Sequence, residues 1–432
     1  MYLKSINKYI FIIGFACLIL FTFSCKKEDS VSNEPERVQW MRVLEDTISY
    51  STDSENYMGS NGKVITDPED NIYTYYYSKN LDQAIVSKYD PLGTLVWKKT
   101  FENCRPLDMA RLNDGSLLLA TSLTGTVPNY LTLYSIQTNG SIETRNDTIK
   151  DFIYRCFEVM NANIVPMPDN GFIVSGVWNA VIGGTNFTGA DVKTFIIKHS
   201  QLQTRDWSQV FGFCFTCPYT VTKPGGVPAG AGSVVQTNNG QYIFQFDYTG
   251  DSNFPSLGRS ILTGLLTDSG VADTSFIYDT GTYNRYINGY TQDYYSDFIY
   301  QYSSPQTGGI SSQSVPSGFL RIGQDARIYD TIPIPLPGDH LILSVTKNKS
   351  GFMMTAFKEG VANGSDDFSA EHTLFLTGGT DWQVTDKFSL QQFYSDYFFS
   401  NAPTSDGGYI SMGRIQSFNG PTNKLVLLKW KN

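Results

Sequence analysis

The chain has 432 residues, a formal net charge of −9, 14% aromatic residues and 38 glycines. An acidic chain with no cluster of Lys and Arg after Lys26-Lys27 excludes a nucleic-acid partner, because backbone phosphates demand such clusters. Abundant aromatics mixed with turn formers, and no apolar stripe at helical spacing beyond the first 24 residues, exclude a helical protein and predict an all-β one.

Residues 1–24 carry Lys4 and Lys8, an apolar run from Tyr9 to Phe23, and Ser24 just before Cys25. The run is shorter than the roughly 20 residues a membrane-spanning helix needs. A basic start, an apolar middle and a small residue at the end describe a secretory signal. Because it ends on Cys25, the segment resembles a bacterial lipoprotein signal, in which Cys25 would be lipidated and become the new N-terminus. Its lipobox departs from the common pattern at Thr22, where Leu is usual, and at Phe23, where a smaller residue is usual. Lys27-Glu28-Asp29 resembles the export signal of surface-exposed Bacteroidota lipoproteins. These resemblances imply an outer-membrane protein, lipid-anchored and facing the cell exterior, with residues 25–37 as a flexible polar tether.

From residue 38 onward the chain reads as repeats. "VQWMRVL" (Val38 to Leu44) is a strand. "DNIYTYYYS" at Asp70 opens a series continued by "DGSLLLATS" at Asp114, "DNGFIVSGV" at Asp169, "NGQYIFQFD" at Asn239, "SGFMMTAFK" at Ser350 and "DGGYISMGR" at Asp406. Each sets an Asp, Asn or Ser turn before an alternating apolar strand. A second pattern follows most of them: "SKYDPLGTLVWKKTF" (Ser87 to Phe101) is strand, turn and strand, echoed from Tyr134, Gly264 and Leu320. The first four starts are 44, 55 and 70 residues apart, and Ser350 follows Asn239 by 111. A degenerate unit at Asp297 fills that double step. Seven units of four strands result, or six if the Asp297 unit is an insertion, at the period of β-propeller blades. "KLVLLKWKN" (Lys424 to Asn432) matches the first strand of the hairpin, and Gln39-Trp40-Met41-Arg42 matches Val96-Trp97-Lys98-Lys99 in its second. The terminal strands are therefore expected to share the last blade and close the ring. The Asp-Gly-Gly-Tyr-Ile and Asp-Pro-x-Gly-x-x-x-Trp patterns resemble the bacterial β-propeller repeats of secreted and lipid-anchored proteins, over residues 38–432. That resemblance speaks to fold and not to activity.

Chemistry is sparsely signalled. The three histidines, His199, His340 and His372, form no His-Glu-x-x-His or comparable pair, so no metal site is expected, and no cofactor. "DPEDN" (Asp67 to Asn71) lacks the Gly and distal Glu of an EF-hand. The Trp-docking repeats and vicinal cysteines of quinone-dependent propeller dehydrogenases are missing, as is the sialidase box. Asp293, Asp297 and Asp366-Asp367 are candidate funnel carboxylates, although most acids here sit at turn positions. Cys104, Cys156, Cys214 and Cys217, in an exported chain, favour disulfides: Cys214–Cys217 stapling a loop and Cys104–Cys156 bridging adjacent blades.

Two stretches depart from the repeat. Residues 212–232 form a Pro/Gly-rich insertion, and residues 283–302 hold seven tyrosines. Long loops on rigid scaffolds carry binding, and exposed tyrosine rings stack on sugars or peptide side chains. Tyr283, Tyr286, Tyr290, Tyr294 and Tyr295 are the candidate ligand contacts. The expected function is a non-catalytic binding propeller for a glycan or an envelope protein. The alternatives are a polysaccharide hydrolase or lyase using funnel carboxylates, and a structural component of a cell-surface complex.

Overall fold

A computed structural model of the chain describes residues 38–48, 62–78, 81–123, 131–147, 156–180, 191–211, 226–228, 233–237, 240–250, 260–279, 286–292, 298–303, 318–333, 340–348, 351–358, 371–378, 384–388, 395–416 and 423–431. The chain divides into two units, Met1–Val38 and Gln39–Asn432, and the strands belong to the second, with β1 beginning at the boundary. The signal segment, Cys25 and the tether lie outside the described residues.

All described regular structure is β, in seven antiparallel sheets. The N-terminal strand β1 (Val38–Ile48) belongs to the last of them. Sheet I holds β2 (Gly62–Thr66), β3 (Ile72–Ser78), β4 (Gln83–Tyr89) and β5 (Leu95–Glu102). Sheet II holds β6 (Cys104–Arg111), β7 (Leu117–Leu123), β8 (Leu131–Ile136) and β9 (Ile142–Asp147). Sheet III holds β10 (Cys156–Pro166), β11 (Phe172–Ala180), β12 (Asp191–Gln201) and β13 (Thr204–Phe211). Sheet IV has five strands: β14 (Gly226–Pro228), β15 (Ser233–Gln236), β16 (Tyr242–Gly250), β17 (Ser260–Leu266) and β18 (Ala272–Asp279). Sheet V holds β19 (Tyr286–Gln292), β20 (Phe298–Ser303), β21 (Gly318–Ile322) and β22 (Ile328–Pro333). Sheet VI holds β23 (His340–Asn348), β24 (Gly351–Lys358), β25 (Glu371–Gly378) and β26 (Val384–Phe388). Sheet VII orders β27 (Ser395–Pro403), β28 (Tyr409–Gln416), β29 (Asn423–Trp430) and then β1, so the C-terminal strand pairs with the N-terminal one. The strands on either side of Asp297, which itself lies outside the described residues, belong to a four-stranded sheet.

One turn recurs because one chemistry recurs. At 67–71, 90–94, 112–116, 137–141, 167–171, 237–241, 267–271, 323–327 and 404–408, the first residue's N–H donates to the fifth carbonyl and the fourth N–H donates to the first carbonyl. The fourth residue is left-handed in every case: Asp70, Gly93, Gly115, Gly140, Asn170, Gly240, Gly270, Ala326 and Gly407. Glycine, Asn and Asp tolerate that conformation at the least steric cost, which is why Asp-Gly and Asn-Gly mark the repeats. Asp side chains tighten these turns further; Asp90 Oδ1 accepts from Leu92 N at 3.0 Å and Thr94 N at 2.7 Å. Those bonds to the charged form hold the Asp90 carboxyl below its ordinary range.

The sheets pack face to face in chain order. Tyr73, Tyr75 and Val86 of sheet I pack on Met109 and Leu119 of sheet II. Leu118 and Leu133 of sheet II meet Phe172 and Val174 of sheet III. Ile173 and Ile196 of sheet III meet Tyr242 and Phe244 of sheet IV. Thr263 Oγ1 of sheet IV donates to the Ala326 carbonyl of sheet V at 2.7 Å, and Thr346 Oγ1 of sheet VI donates to the Asn401 carbonyl of sheet VII at 3.0 Å. Sheet VII then packs on sheet I through Ile410, Met412 and Leu427 against Val64, Ile72 and Ile85. Each such side chain, fully buried, contributes about 1.5–3 kcal/mol relative to exposure.

Outer strands latch onto the neighbouring turn. Trp97 of β5 donates Nε1 to the Thr138 carbonyl of sheet II at 3.3 Å, and Trp207 of β13 donates to the Asp268 carbonyl of sheet IV at 2.8 Å. Trp40 of β1 lies over Gly93 of sheet I, where a Cβ would come within 3.1 Å of its ring. The N-terminal strand therefore does for sheets VII and I what β5 does for I and II. This agrees with the sequence match of Trp40 to Trp97.

Candidate functional site

The first strands of neighbouring sheets lie against one another, β2 with β6, β6 with β10, β19 with β23, β23 with β27 and β27 with β2. They therefore meet at the seams between sheets. Antiparallel order also fixes two rims. One carries the nine five-residue turns, each of which follows a first or a third strand. The other carries the connections after each second and fourth strand, including residues 49–61, 124–130, 181–190, 251–259, 304–317 and 359–370, together with the insertion after Phe211. The longest intervals between strands therefore start and end on that second rim.

Four residues before the turns at 67–71, 112–116, 167–171 and 404–408, the first strands carry polar side chains: Lys63, Asp108, Asn163 and Ser400. Lys63 Nζ lies 2.8 Å from Asp108 Oδ1 across the seam of sheets I and II. Asp108 Oδ2 accepts Ile164 N of β10 at 2.7 Å, so one carboxylate joins three sheets. Ser400 Oγ likewise accepts Val64 N at 3.0 Å, joining sheet VII to sheet I. Both acceptors follow a β-bulge, at Leu107 in β6 and at Phe399 in β27, and the extra residue re-aims the side chain toward the neighbouring strand. The Asp108 side chain is 7% exposed and both its oxygens are engaged, whereas Lys63 is 33% exposed and keeps further N–H groups to donate. Asp108 holds the Lys63 ammonium group and the β10 backbone in place.

Sequence reasoning missed both residues. Their signal was positional, a polar side chain at a fixed offset from the turn, and it becomes visible only once the turns are aligned. Tyr286 and Tyr290 fall on β19, the first strand of sheet V. Tyr283, Tyr294 and Tyr295 lie outside the described residues, as do Asp293, Asp297, Asp366 and Asp367. Cys214 and Cys217 lie outside them too.

The expected Cys104–Cys156 bridge is not formed: Cys104 is a free, fully buried thiol. Its side chain sits in the seam between sheets I and II, with Tyr73, Met109 and Leu117. Cys156 belongs to β10 of sheet III, on the other side of sheet II. The repeat offset matched the two cysteines in sequence, but β6 turns the first of them away from the third sheet. Burial pushes the Cys104 thiol up to about 11. His199 is fully buried and stacked on Phe172 at a centroid distance of 4.7 Å, a core position. Among the described residues no group of three His, Cys, Asp or Glu could hold a metal ion.

No family model matches the sequence, and no curated protein is similar to it. Solved structures are similar in fold. The polysaccharide lyase Uly1 matches with a TM-score of 0.50 and 10% identity, over 91% of this chain and 99% of that one. An ulvan lyase matches at 0.45 and 9% identity over 88% and 93%. The Dos1 propeller matches at 0.42 and 9% identity over 83% and 75%. At these identities the likeness is one of fold alone, that of an all-β chain.

Proposed function

We propose that this chain acts on an extracellular polysaccharide through its long-connection face, cleaving it as a lyase or hydrolase. The reading places it at the outer membrane, facing the cell exterior and held there by a lipid on Cys25. Seven blades close into a ring through β29 and β1. The observation that carries the functional reading is that the longest intervals between strands leave from one rim, in a fold whose first strands carry the Lys63–Asp108 pair. The end-to-end likeness in fold to a polysaccharide lyase makes polysaccharides the first substrates to try. A second reading, non-catalytic binding of a glycan or an envelope protein, is favoured by one detail. Each oxygen of Asp108 already accepts a hydrogen bond, from Lys63 and from Ile164 N, so the carboxylate is held as a stitch between sheets.

The test uses the lipid-free mature chain with ulvan, arabinan and galactan. Cleavage is followed by new reducing ends and by the ultraviolet absorbance of the unsaturated uronide that β-elimination leaves. Retardation in affinity electrophoresis reports binding. New ends with the absorbance mean a lyase, and new ends without it a hydrolase. Retardation without products means the binding reading, and neither signal from any polysaccharide refutes both carbohydrate readings. Localisation is tested separately, by protease shaving of intact cells and by the loss of membrane association in Cys25→Ser.

A further inference from the structure

The outer strand of sheet VII, β1, is bonded to sheet I less completely than its counterparts are to their neighbours. Trp40 of β1 covers a turn of sheet I, as Trp97 and Trp207 cover turns of sheets II and IV. Those two indoles each donate Nε1 to a turn carbonyl, at 3.3 and 2.8 Å. Trp40 Nε1 is buried and has no hydrogen-bond partner. Its ring is displaced: Cη2, Cζ2 and Cζ3 of Trp40 face Gly93, whereas Cδ2 of Trp97 and of Trp207 faces Gly140 and Gly270. The other bond from β1 to sheet I is long. Tyr76 donates its hydroxyl to the Leu44 carbonyl at 3.5 Å, where Tyr75 reaches the Leu107 carbonyl at 3.0 Å.

The face of sheet I under β1 adds two more polar atoms of the same kind. Ile72, Tyr76, Ile85 and Tyr89 of that face belong to the cluster against which Trp40 and Leu44 pack. Thr74 and Ser87 alternate with them and stand directly opposite each other in the β3–β4 ladder. They are 0% and 1% exposed, and neither Oγ makes a hydrogen bond of normal geometry, although the Tyr89 hydroxyl is near both. Water reaching this face would satisfy all three groups, which offsets part of the burial that holds β1 down.

The inner part of the same seam is firmly stitched. Ser400 Oγ accepts Val64 N at 3.0 Å, and Thr66 Oγ1 donates to the Pro403 carbonyl at 2.6 Å. The Asp70 carboxylate accepts both the N–H and the hydroxyl of Ser405. None of these bonds involves β1, which pairs with β29 alone.

We propose that β1 is a releasable strap: it leaves β29 and sheet I by local unfolding while the inner stitches keep sheets VII and I together. Its use rests on the lipid-anchor reading. Release adds the 11 residues of β1 to the chain between Cys25 and the sheets, about 36–40 Å when fully extended. The strap thus sets how far the sheets stand from the membrane.

Amide exchange of the lipid-free mature chain tests the strap independently of the anchor. Peptides of β1 are compared with those of β5, the outer strand whose indole is bonded, at rising urea below the unfolding transition. The expected result is exchange of β1 at least about tenfold faster than of β5, with little dependence on urea, because a local opening exposes little surface. In Thr74→Val combined with Ser87→Ala, which removes both hydroxyls, β1 exchange is expected to slow by about tenfold. Equal rates in β1 and β5, or β1 exchange that rises with urea as steeply as that of β3, overturn the strap. An unmoved β1 rate in the double variant overturns the part given to the hydroxyls. If Cys25→Ser stays on the membrane, the anchor reading fails by itself, and release of β1 stands on the exchange result.

Discussion

On one rim of the molecule, nine turns share a length, a pair of hydrogen bonds and a left-handed fourth residue. On the other, the connections range from the single residue Asn103 to the stretch 304–317, and no pattern unites them. A tight turn has to be solved by local chemistry, so the same residues are used again and again. A long connection is held by the scaffold at its two ends and is free to vary between them. One rim records how the fold is made, and the other leaves length and composition free.

That contrast can be broken at the centre, where the two rims depend on the same stitches. Asp108→Ala strips Lys63 of its partner and leaves Ile164 N unpaired, and the expected loss is about 3 kcal/mol in urea unfolding. Asp108→Asn, which keeps an acceptor for Ile164 N, is expected to lose less. On the turn rim, Gly270→Ala meets a backbone at φ +80 and the Trp207 indole packed on it, and should cost about 2–3 kcal/mol. Gly240→Ala has the same φ problem at +84 but open space around it, so about 1 kcal/mol is expected; equal losses at both sites would mean that Trp207 does not press on its turn. Trp40→Ala should cost about 2 kcal/mol and make β1 the first segment to exchange its amide hydrogens, because the indole joins sheet VII to sheet I. On the loop rim, inserting four Gly/Ser residues within 181–190 should change stability by less than about 0.6 kcal/mol.

A pH measurement sharpens the account of the interior. The Cys104 pKa is raised from 9.0 to about 11, so the neutral thiol is the form the fold favours. The stability tied to it is intact below pH 9 and is lost as pH climbs between 9 and 11. Native protein should leave Cys104 unreacted with a thiol reagent at pH 8 and release it on unfolding, as read by mass spectrometry of the Cys104 peptide. Rapid native labelling would mean that the seam of sheets I and II opens.

How much of this was legible follows from the same contrast. Asp-Gly, Asn-Gly and Asp-Pro-Leu-Gly announced the turns, and the turns set out the strands. The match of Trp40 to Trp97 announced a shared role, and both rings do sit on a neighbouring turn. Asp70, Asn170 and Ala326 occupy the left-handed position without glycine, so a search for glycine alone would have missed three of the nine turns. The Lys63–Asp108 pair was not legible, because its partners are 45 residues apart and the bulge at Leu107 decides where Asp108 points. Bulges leave no residue signature in β6 or β27. The Cys104–Cys156 pairing failed for a related reason: repeat offset gives the height along a strand but not the face.

Hydrogen exchange of the lipid-free mature chain, with and without ulvan, arabinan or galactan oligosaccharides, tests the central claim most directly. The account predicts ligand protection in peptides that span the long intervals between strands, among them 212–232, 251–259 and 280–292, with the nine turns unchanged. Protection concentrated on the turn rim, at 90–94, 137–141 or 267–271, would contradict it.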